Sequence, residues 1–473
     1  MTALTIATLE GGQTQVEQAE LDALAETLRG ELLMPGSAGY DNARTLWNAM
    51  IDKRPAVIVE CRGAADVIRS VNFARQHNLL LAVRGGGHNI AGNAVCEGGL
   101  MISLGQMRSV RIDPQQRTAR VEPGVTLGEF DAEAQMHGLA TPIGINSTTG
   151  IAGLTLGGGF GWLSRKYGLT VDNLLSADVV TADGRLLQAS AQQNEDLFWA
   201  IRGGGGNFGV VTSFEFRLHP VGPEVLAGLI VHPYKDARAV LDFYRQFAAR
   251  APNELSVWLV LRKAPPLPFL PESVHGSEVV VLAALYAGDI AEGEAVLAPL
   301  RAFGDPIADV IGPHSYCAFQ AGFDPLLAPG ARNYWKSHDF FELSDSTVDT
   351  LLDFVGRLPG PQCEVFVAQM GGQTNEVPTG DTAYWSRDTE FIMNVHGRWD
   401  DPADDQACIG WCRELFEATE PEASGSVYVN FMTADEGGRV EAAYGDGYEH
   451  LSRLKRKYDP TNLFRMNQNI KPG

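Results

Sequence analysis

A histidine that directly follows three glycines is the first arrangement in this chain whose chemistry can be named. An apolar run at residues 79–83 predicts a buried strand, which leads into RGGGHN at residues 84–89. Glycine lacks a Cβ atom, so this turn allows backbone N–H groups to converge on an anion or a flat ring. The imidazole of His88 could then serve as a ligand, as an acid or base, or as a nucleophile toward an electrophilic cofactor carbon.

Two further glycine-rich loops have the same character. Residues 146–161 read NSTTGIAGLTLGGGFG, and residues 202–214 read RGGGGNFGVVTSF. Three loops that permit close backbone approach predict one long, flat, phosphate-bearing ligand that is contacted along its length. None of the loops has the P-loop pattern, and none is placed as in a nicotinamide-binding Rossmann unit.

Four motifs in fixed order resemble the berberine-bridge-enzyme-like branch of the vanillyl-alcohol-oxidase flavoproteins. They are RGGGHN, TGIAGLTLGGGFGWLSRKYGLTVDN, DLFWAIRGGGGNFGVVT and, near the C-terminus, YDPTNLFRMNQNIKP. The resemblance implies FAD as the cofactor, with contacts from the glycine turns, a VEPG turn and the last motif. The implied contact residues are Arg84, Gly85, Gly86, Gly87, His88, Asn89, Pro123, Gly124, Thr148, Thr149, Gly150, Gly153, Leu154, Gly157, Gly159, Gly161, Asn207, Gly209, Val211, Tyr428, Asn467 and Asn469.

The resemblance also concerns how the cofactor is attached. In the resembled family the histidine of RGGGH carries a covalent bond to the flavin, which implies a histidyl-linked FAD at His88. Many relatives have a second bond through a cysteine, and Asn146 occupies that position here. The resemblance therefore implies a flavin that is attached only through His88.

The family motifs do not supply the group that takes the substrate proton. Hydride transfer to a flavin needs a base for the O–H or N–H proton, and relatives use a glutamate or a tyrosine. Thr379 and Phe431 occupy those two positions in this chain. Gln369 and Asn394 remain as candidates, and the residues we take forward as catalytic are Tyr334, Lys336, His396 and Asn430. We favour Tyr334, because the ammonium group of Lys336 would stabilise its phenolate.

The elements that must position these residues change in character near residue 220. Residues 55–60, 64–77 and 79–83 predict a β–α–β unit, and strands alternate with helices beyond HPVGPEV. The proline-rich stretch at residues 264–272 predicts a surface loop near a sheet edge. We predict an α+β fold: a two-part FAD-binding domain of the vanillyl-alcohol-oxidase type at residues 1–220, to which residues 444–473 return, and a substrate-binding domain at residues 221–443 with an antiparallel sheet backed by helices.

Composition limits the partners of the protein. The 473 residues are 45% hydrophobic and carry a net charge of −21, which predicts a large core and argues against nucleic acid or anionic membranes as partners. The chain lacks a long apolar run and a secretory signal, so we expect a cytoplasmic protein without a membrane span. Six scattered cysteines predict neither a disulfide framework nor a metal site, and the oligomeric state stays open.

The sequence as a whole predicts an FAD-dependent oxidoreductase that takes a hydride from an alcohol or amine carbon of a small organic substrate. Dioxygen is the expected electron acceptor, although Leu154 near the flavin leaves open a dehydrogenase that uses another acceptor. Trp258, Trp335 and Trp385 could stack on sugar rings, so a mono- or oligosaccharide oxidase is the nearest alternative. A flavin-binding protein without turnover is a further alternative.

Overall fold

The first unit of the chain contains two sheets that belong to separate halves. The structure is a computed structural model that describes residues 3–473. Across the four-stranded sheet the order is Glu31–Leu33, Val57–Glu60, Leu100–Ser103 and Leu81–Arg84, and the last three strands run parallel. Across the antiparallel five-stranded sheet the order is Leu186–Ser190, Leu174–Val180, Val210–Arg217, Thr118–Val121 and Val110–Asp113. Two short pairs complete this unit: Ala3–Ala7 with Gln13–Glu17, and Leu139–Ala140 with His219–Pro220.

Short helices cover these sheets. They are Gln18–Thr27, Tyr40–Arg44, Ala64–Gln76, Leu127–Gln135, Ile151–Leu156, Ser164–Tyr167 and Glu195–Ile201. The predicted β–α–β unit is confirmed, because Val67, Val71 and Ala74 bury one face of helix Ala64–Gln76 in the core of the four-stranded sheet. The strand of this unit ends at Arg84, directly before the turn that carries His88.

The second unit is one antiparallel sheet of eight strands, which confirms the predicted sheet backed by helices. Its order is Ala308–Asp309, Glu224–Pro233, Glu278–Tyr286, Leu255–Lys263, Glu364–Gln369, Phe391–Trp399 and Arg332–Phe340, with Gly312–Ser315 paired to the second strand. Its helices are Ala237–Ala248, Ile290–Arg301, Tyr316–Gln320, Asp345–Val355, Gln373–Glu376 and Asp405–Thr419.

Alternation along the strands gives this sheet two different faces. On the face that we call outer, residues such as Leu259, Val280 and Met393 pack against the long helices in the largest core of the protein. Side chains alternate between faces along a strand, so their neighbours Val260 and Val281 point to the other face, which we call inner. The inner face is turned toward the glycine turns of the first unit.

The C-terminal segment returns to the first unit earlier than we predicted. Helices Val440–Tyr444 and Tyr448–Tyr458 pack on the five-stranded sheet, but Val427, Val429 and Met432 already belong to that core. The return therefore begins near residue 427 and not at residue 444. Within residues 3–473, no helix combines the length and the apolar character that a membrane crossing requires.

A buried ion pair fixes this returning segment. Lys455 and Asp459 lie 2.7 Å apart with fully buried side chains. The ammonium group also donates to the carbonyl oxygens of Asn207 at 2.7 Å and Phe464 at 2.9 Å. The carboxylate accepts the backbone N–H groups of Leu463 and Phe464, each at 2.8 Å. The pair thus joins the last helix, the third glycine loop and the final motif.

Lys455→Met should destabilise the protein strongly. The variant leaves the carboxylate of Asp459 buried without its counter-charge, which costs about 3–5 kcal/mol when one partner of a buried pair is removed. Chemical denaturation followed by tryptophan fluorescence measures the change. Arg456→Met, at the exposed neighbouring position, is the matched control and should stay within about 0.5 kcal/mol of the native protein. Equal stability of the two variants would contradict this role of the pair.

Candidate active site

A continuous cavity of about 400 Å³ lies between the glycine turns and the inner face of the eight-stranded sheet. Fourteen of the predicted cofactor residues line it, together with two of the predicted catalytic residues, His396 and Asn430. The fourteen are Gly85, Gly86, Gly87, His88, Asn89, Thr149, Gly150, Gly153, Leu154, Asn207, Gly209, Val211, Tyr428 and Asn467. The three loops that are far apart in sequence therefore meet at one site.

The other predicted cofactor residues are not part of the cavity lining. They are Arg84, Pro123, Gly124, Thr148, Gly157, Gly159, Gly161 and Asn469. Gly159 donates its N–H to the hydroxyl of Tyr428 at 3.1 Å, and the carbonyl oxygen of Pro123 borders Gly85. Gly159 and Pro123 thus hold lining residues in place.

The first two glycine turns touch through their backbones. A Cβ atom on Gly86 would lie 2.4 Å from the backbone nitrogen of Gly150, so neither position has room for a side chain. At the other end of the cavity wall, the hydroxyl of Tyr444 and the Oδ1 atoms of Asn467 and Asn469 are buried without a partner among the described residues. A backbone cradle with unpaired buried polar atoms fits a dinucleotide that offers both flat rings and polar groups.

Thr148 fixes the proton arrangement of His88. The Oδ1 atom of Asn146 accepts hydrogen bonds from the backbone N–H of Thr148 at 3.0 Å and from its hydroxyl at 2.7 Å. A hydroxyl has one hydrogen, so its oxygen must accept at the 3.0 Å contact with Nε2 of His88. This network favours the tautomer of His88 with the proton on Nε2 and the lone pair on Nδ1.

The surroundings keep this imidazole uncharged. Trp47 stacks on His88 with 5.1 Å between the ring centroids, and burial lowers the pKa of His88 to about 4. A long contact of 3.4 Å joins Nδ1 to the hydroxyl of Thr149, and a hydrogen bond with the backbone of Thr148 partly opposes the lowering of the pKa. His88 is therefore a neutral, nucleophilic imidazole beside the cavity at neutral pH.

Three ionisable residues form a row across the inner face. Arg262, Glu364 and His396 stand opposite one another on neighbouring strands and line the cavity. The Nη1 atom of Arg262 lies 2.6 Å from the carboxylate of Glu364, and Nδ1 of His396 lies 3.3 Å from it. Burial alone would raise the pKa of Glu364, but the charge of Arg262 and the hydrogen bond from His396 outweigh it and lower that pKa to about 2. Burial lowers the pKa of His396, and the carboxylate of Glu364 opposes this effect.

Tyr334 and Lys336 lie on the outer face, and their prediction as the catalytic base was wrong. The hydroxyl of Tyr334 donates to Asp435 at 2.6 Å, and Lys336 lies 3.1 Å from the same carboxylate. Burial and the negative charge of Asp435 raise the pKa of Tyr334, which is the reverse of what a base requires. Trp335, between them in the strand, is the residue that faces the cavity.

Tyr428 and Asn430 form a hydrogen-bonded pair at the cavity wall. The Nδ2 atom of Asn430 donates to the hydroxyl of Tyr428 at 2.8 Å and to the carbonyl oxygen of Leu154 at 3.2 Å. This leaves the Oδ1 atom of Asn430 available to a ligand. Burial raises the pKa of Tyr428 to about 12 although two donors point at its oxygen, so Tyr428 is a neutral phenol at neutral pH.

Sequence reasoning missed several residues of the site. Trp47 belongs to a segment without a family motif, and Arg262 and Glu364 were not singled out. A signal was present for the last two, because each is a charged residue at the end of an apolar strand segment, LSVWLVLR and EVFVAQ. Buried charges are rare unless they are paired, so two such strands predict an ion pair between neighbours.

Comparison with known proteins identifies the class. A family model described as FAD binding domain matches residues 55–190, and one described as berberine and berberine like matches residues 427–471. An FAD-linked oxidoreductase of Dictyostelium discoideum is 32% identical over 466 residues, which cover 98% of each chain. The (R)-6-hydroxynicotine oxidase of Paenarthrobacter nicotinovorans is 31% identical, with 94% of this chain and 97% of that protein covered.

Comparison with solved structures agrees with the family matches. A crystal structure of 6-hydroxy-D-nicotine oxidase from Arthrobacter nicotinovorans superposes with a TM-score of 0.84 at 28% identity, and the match covers 94% of this chain and 98% of that one. These matches define an FAD-dependent oxidoreductase with the vanillyl-alcohol-oxidase type of fold. The chain belongs to the berberine-bridge-enzyme-like family of FAD-linked oxidoreductases.

Glu364→Gln should make the free energy of unfolding less dependent on pH under acidic conditions. The pKa of Glu364 is lower in the folded protein than its ordinary value near 4.3, so its ionised form stabilises the fold above about pH 5 and this stability is lost as the pH falls toward 2. The stability advantage of the native protein over the variant should shrink by about 3 kcal/mol between pH 6 and pH 2. Denaturation curves at several pH values measure it. Glu414→Gln, at an exposed position, is the control, and parallel curves for Glu364→Gln and the native protein would contradict the assignment.

Proposed function

We propose that this protein transfers a hydride from a carbon that bears a hydroxyl or amino group, in a small organic substrate, to FAD attached at His88. The carrying observation is that one cavity connects the glycine cradle and His88 to the row of Arg262, Glu364 and His396. The bound FAD supplies the two-electron acceptor for this reaction. The protein supplies attachment, orientation and a site for the substrate proton.

The geometry around His88 supports a single histidyl bond to the flavin. Asn146 and Thr148 hold the proton on Nε2, so Nδ1 presents its lone pair as the nucleophile. Asn146 lines the cavity where many relatives have a cysteine, and none of the cysteines in the described chain lines it. We therefore propose attachment through His88 alone.

His396 is the proton acceptor that we propose in place of Tyr334. It lines the cavity, with Nδ1 3.3 Å from the carboxylate of Glu364 and Nε2 3.3 Å from the Oδ1 atom of Asn333. Burial lowers the pKa of His396, so a neutral imidazole is present at neutral pH, and the ring nitrogen that takes the substrate proton gives up its contact with the protein. The carboxylate of Glu364 stabilises the ring once it is protonated. Glu364 itself is a poor base, because its pKa is about 2. Asn430 has no proton to exchange, and its Oδ1 atom orients the substrate by accepting an O–H or N–H hydrogen bond.

Dioxygen is the electron acceptor that we propose. The (R)-6-hydroxynicotine oxidase, which is 31% identical to this chain, is an oxidase by name. Leu154 lines the cavity near the second glycine turn and narrows it there. A dehydrogenase that passes electrons to another acceptor is the alternative, and the rate of reoxidation in air-saturated buffer after anaerobic reduction distinguishes the two.

His88→Ala should abolish covalent attachment of the cofactor. Native protein precipitated with acid should keep the yellow flavin absorption in the pellet, whereas the variant should release it to the supernatant. Asn89→Ala is a matched control, because it alters the neighbouring cavity residue but leaves the nucleophile in place. Flavin that stays with the His88→Ala pellet, or is released from the native one, would contradict the proposed bond.

His396→Gln should slow flavin reduction by about 10²–10⁴-fold, since this is the usual contribution of a positioned base. Anaerobic bleaching of the flavin on addition of alcohols, amines or sugars measures the rate. In the native protein the rate should fall under acidic conditions, at a pH below the ordinary histidine pKa of about 6.5, because burial lowers the pKa of His396 and the neutral imidazole is lost only there. The rate of the variant should not show this decrease. His137→Gln, at an exposed position, should behave like the native protein. Bleaching by none of the compounds would contradict the proposed function, and an unchanged rate in His396→Gln would contradict its role.

A further inference from the structure

An uninterrupted apolar row crosses the inner face next to the charged row. Val231, Val281, Val260 and Phe366 stand opposite one another on four neighbouring strands, and all line the cavity. Neighbouring strands lie about 4.8 Å apart, so this row spans roughly 14 Å. It forms a floor that is long enough for an extended apolar group.

The proline-rich loop covers this floor. The sequence predicts a surface loop at residues 264–272, but Leu267, Phe269 and Leu270 turn inward and line the cavity. They pack with Val231 and Val279 of the sheet in a separate apolar cluster. Two backbone hydrogen bonds of 2.8 Å between Ala264 and residues 276 and 277 close the base of the loop. The loop is therefore a fixed roof over the apolar row.

The charged groups beside the apolar floor are paired within the protein. Arg262 and Glu364 are paired with each other at 2.6 Å, and Glu364 is also close to His396. A saccharide would bring several hydroxyl groups between the valine and phenylalanine side chains of the floor and the leucine and phenylalanine side chains of the roof, which carry no donors or acceptors. Buried hydroxyl groups without partners are strongly unfavourable.

Two of the tryptophans that favoured a sugar substrate are in contact with aromatic neighbours of the protein, and the third lies outside the cavity. Trp258 is sandwiched by Trp162, at 4.4 Å and 29°, and by Phe366, at 6.0 Å and 11°. Trp335 meets His396 and Phe431 edge to face. Trp385 packs against Gly445 and Gly447 outside the cavity.

From the floor, the roof and the paired charges we infer that the substrate is an alcohol or amine with an extended apolar chain or ring system. This inference rests on the proposed function. The apolar part of the substrate lies between the apolar row that contains Val260 and the loop of residues 264–277. The reacting carbon of the substrate lies toward the flavin side of the cavity. Mono- and oligosaccharides are not substrates of this compartment.

Binding of unreactive homologues tests the inference without turnover. Tertiary alcohols of increasing chain length have no hydrogen on the carbinol carbon, and their binding to the yellow holoenzyme is followed by the change in flavin absorption. Each added methylene should tighten binding about fourfold until the compartment is full. In parallel, anaerobic bleaching by secondary alcohols and amines of the same lengths should show the same increments, whereas glucose and chitobiose should not bleach the flavin.

Variants of the roof locate the apolar chain. Leu267→Ala and Phe269→Ala should weaken binding of the longest tertiary alcohol about tenfold and leave the shortest unchanged, which a general loss of structure would not do. Glu272→Gln, an exposed position of the same loop, is the matched control. Affinity independent of chain length, or sugars that bleach the flavin faster than long-chain alcohols, would overturn the inference while the oxidoreductase function stands. Length-dependent binding without bleaching by any alcohol or amine would support the apolar compartment and contradict the proposed function.

Discussion

The alternation of side chains in the eight-stranded sheet is the constraint on which the site depends. A strand sends successive residues to opposite faces, so the same segment supplies the hydrophobic core on one side and the cavity wall on the other. The strand Arg332–Phe340 illustrates this: Tyr334 packs toward the helices and Trp335 faces the cavity. A register shift of one residue would exchange these faces, and the outer core would then receive the charges of Arg262 and Glu364. The large outer core therefore also fixes which residues can perform chemistry.

A second requirement is that the inner face be held at a constant distance from the glycine cradle. Buried polar contacts between the units do this at both ends of the sheet. Asn48 exchanges hydrogen bonds of 2.9 and 3.0 Å with the backbone of Asn333, like a residue of an adjacent strand. Arg165, which follows the second glycine loop, donates to the carbonyl oxygens of Leu255 and Ala251 at 2.8 and 2.9 Å. A positioned base and a hydride acceptor must keep their geometry within a fraction of an ångström. Contacts of this kind are therefore required for the reaction although their residues do not touch the substrate.

The sequence alone predicted the glycine-rich loops that meet at the cavity, but it did not predict which residues of the eight-stranded sheet face that cavity, and the reason is physical. Glycine turns are local features whose conformational role can be inferred from residue type, so the approach of Gly86 to Gly150 was predictable in kind. The face to which Tyr334 points depends on the register of the strands, which NYWKS does not contain. The loop of residues 264–277 has the composition of a surface turn, and only the sheet beneath it explains why Leu267 and Phe269 turn inward. The sequence did not indicate that the chain returns to the first unit at Val427, because Val427 packs in a core with strands that are more than 200 residues away.

Asn146 affects both the hydrogen bonding of His88 and the polarity of the cavity wall. At a position where many relatives carry a bond-forming cysteine, its amide oxygen accepts two hydrogen bonds from Thr148 and thereby makes the Thr148 hydroxyl an acceptor for His88. A cysteine is a weak acceptor and could not replace this oxygen as the partner of the Thr148 hydroxyl. The asparagine also places a paired amide, not a thioether, beside the cavity. Residue 146 therefore influences both how firmly the flavin is oriented and how polar this part of the cavity wall is.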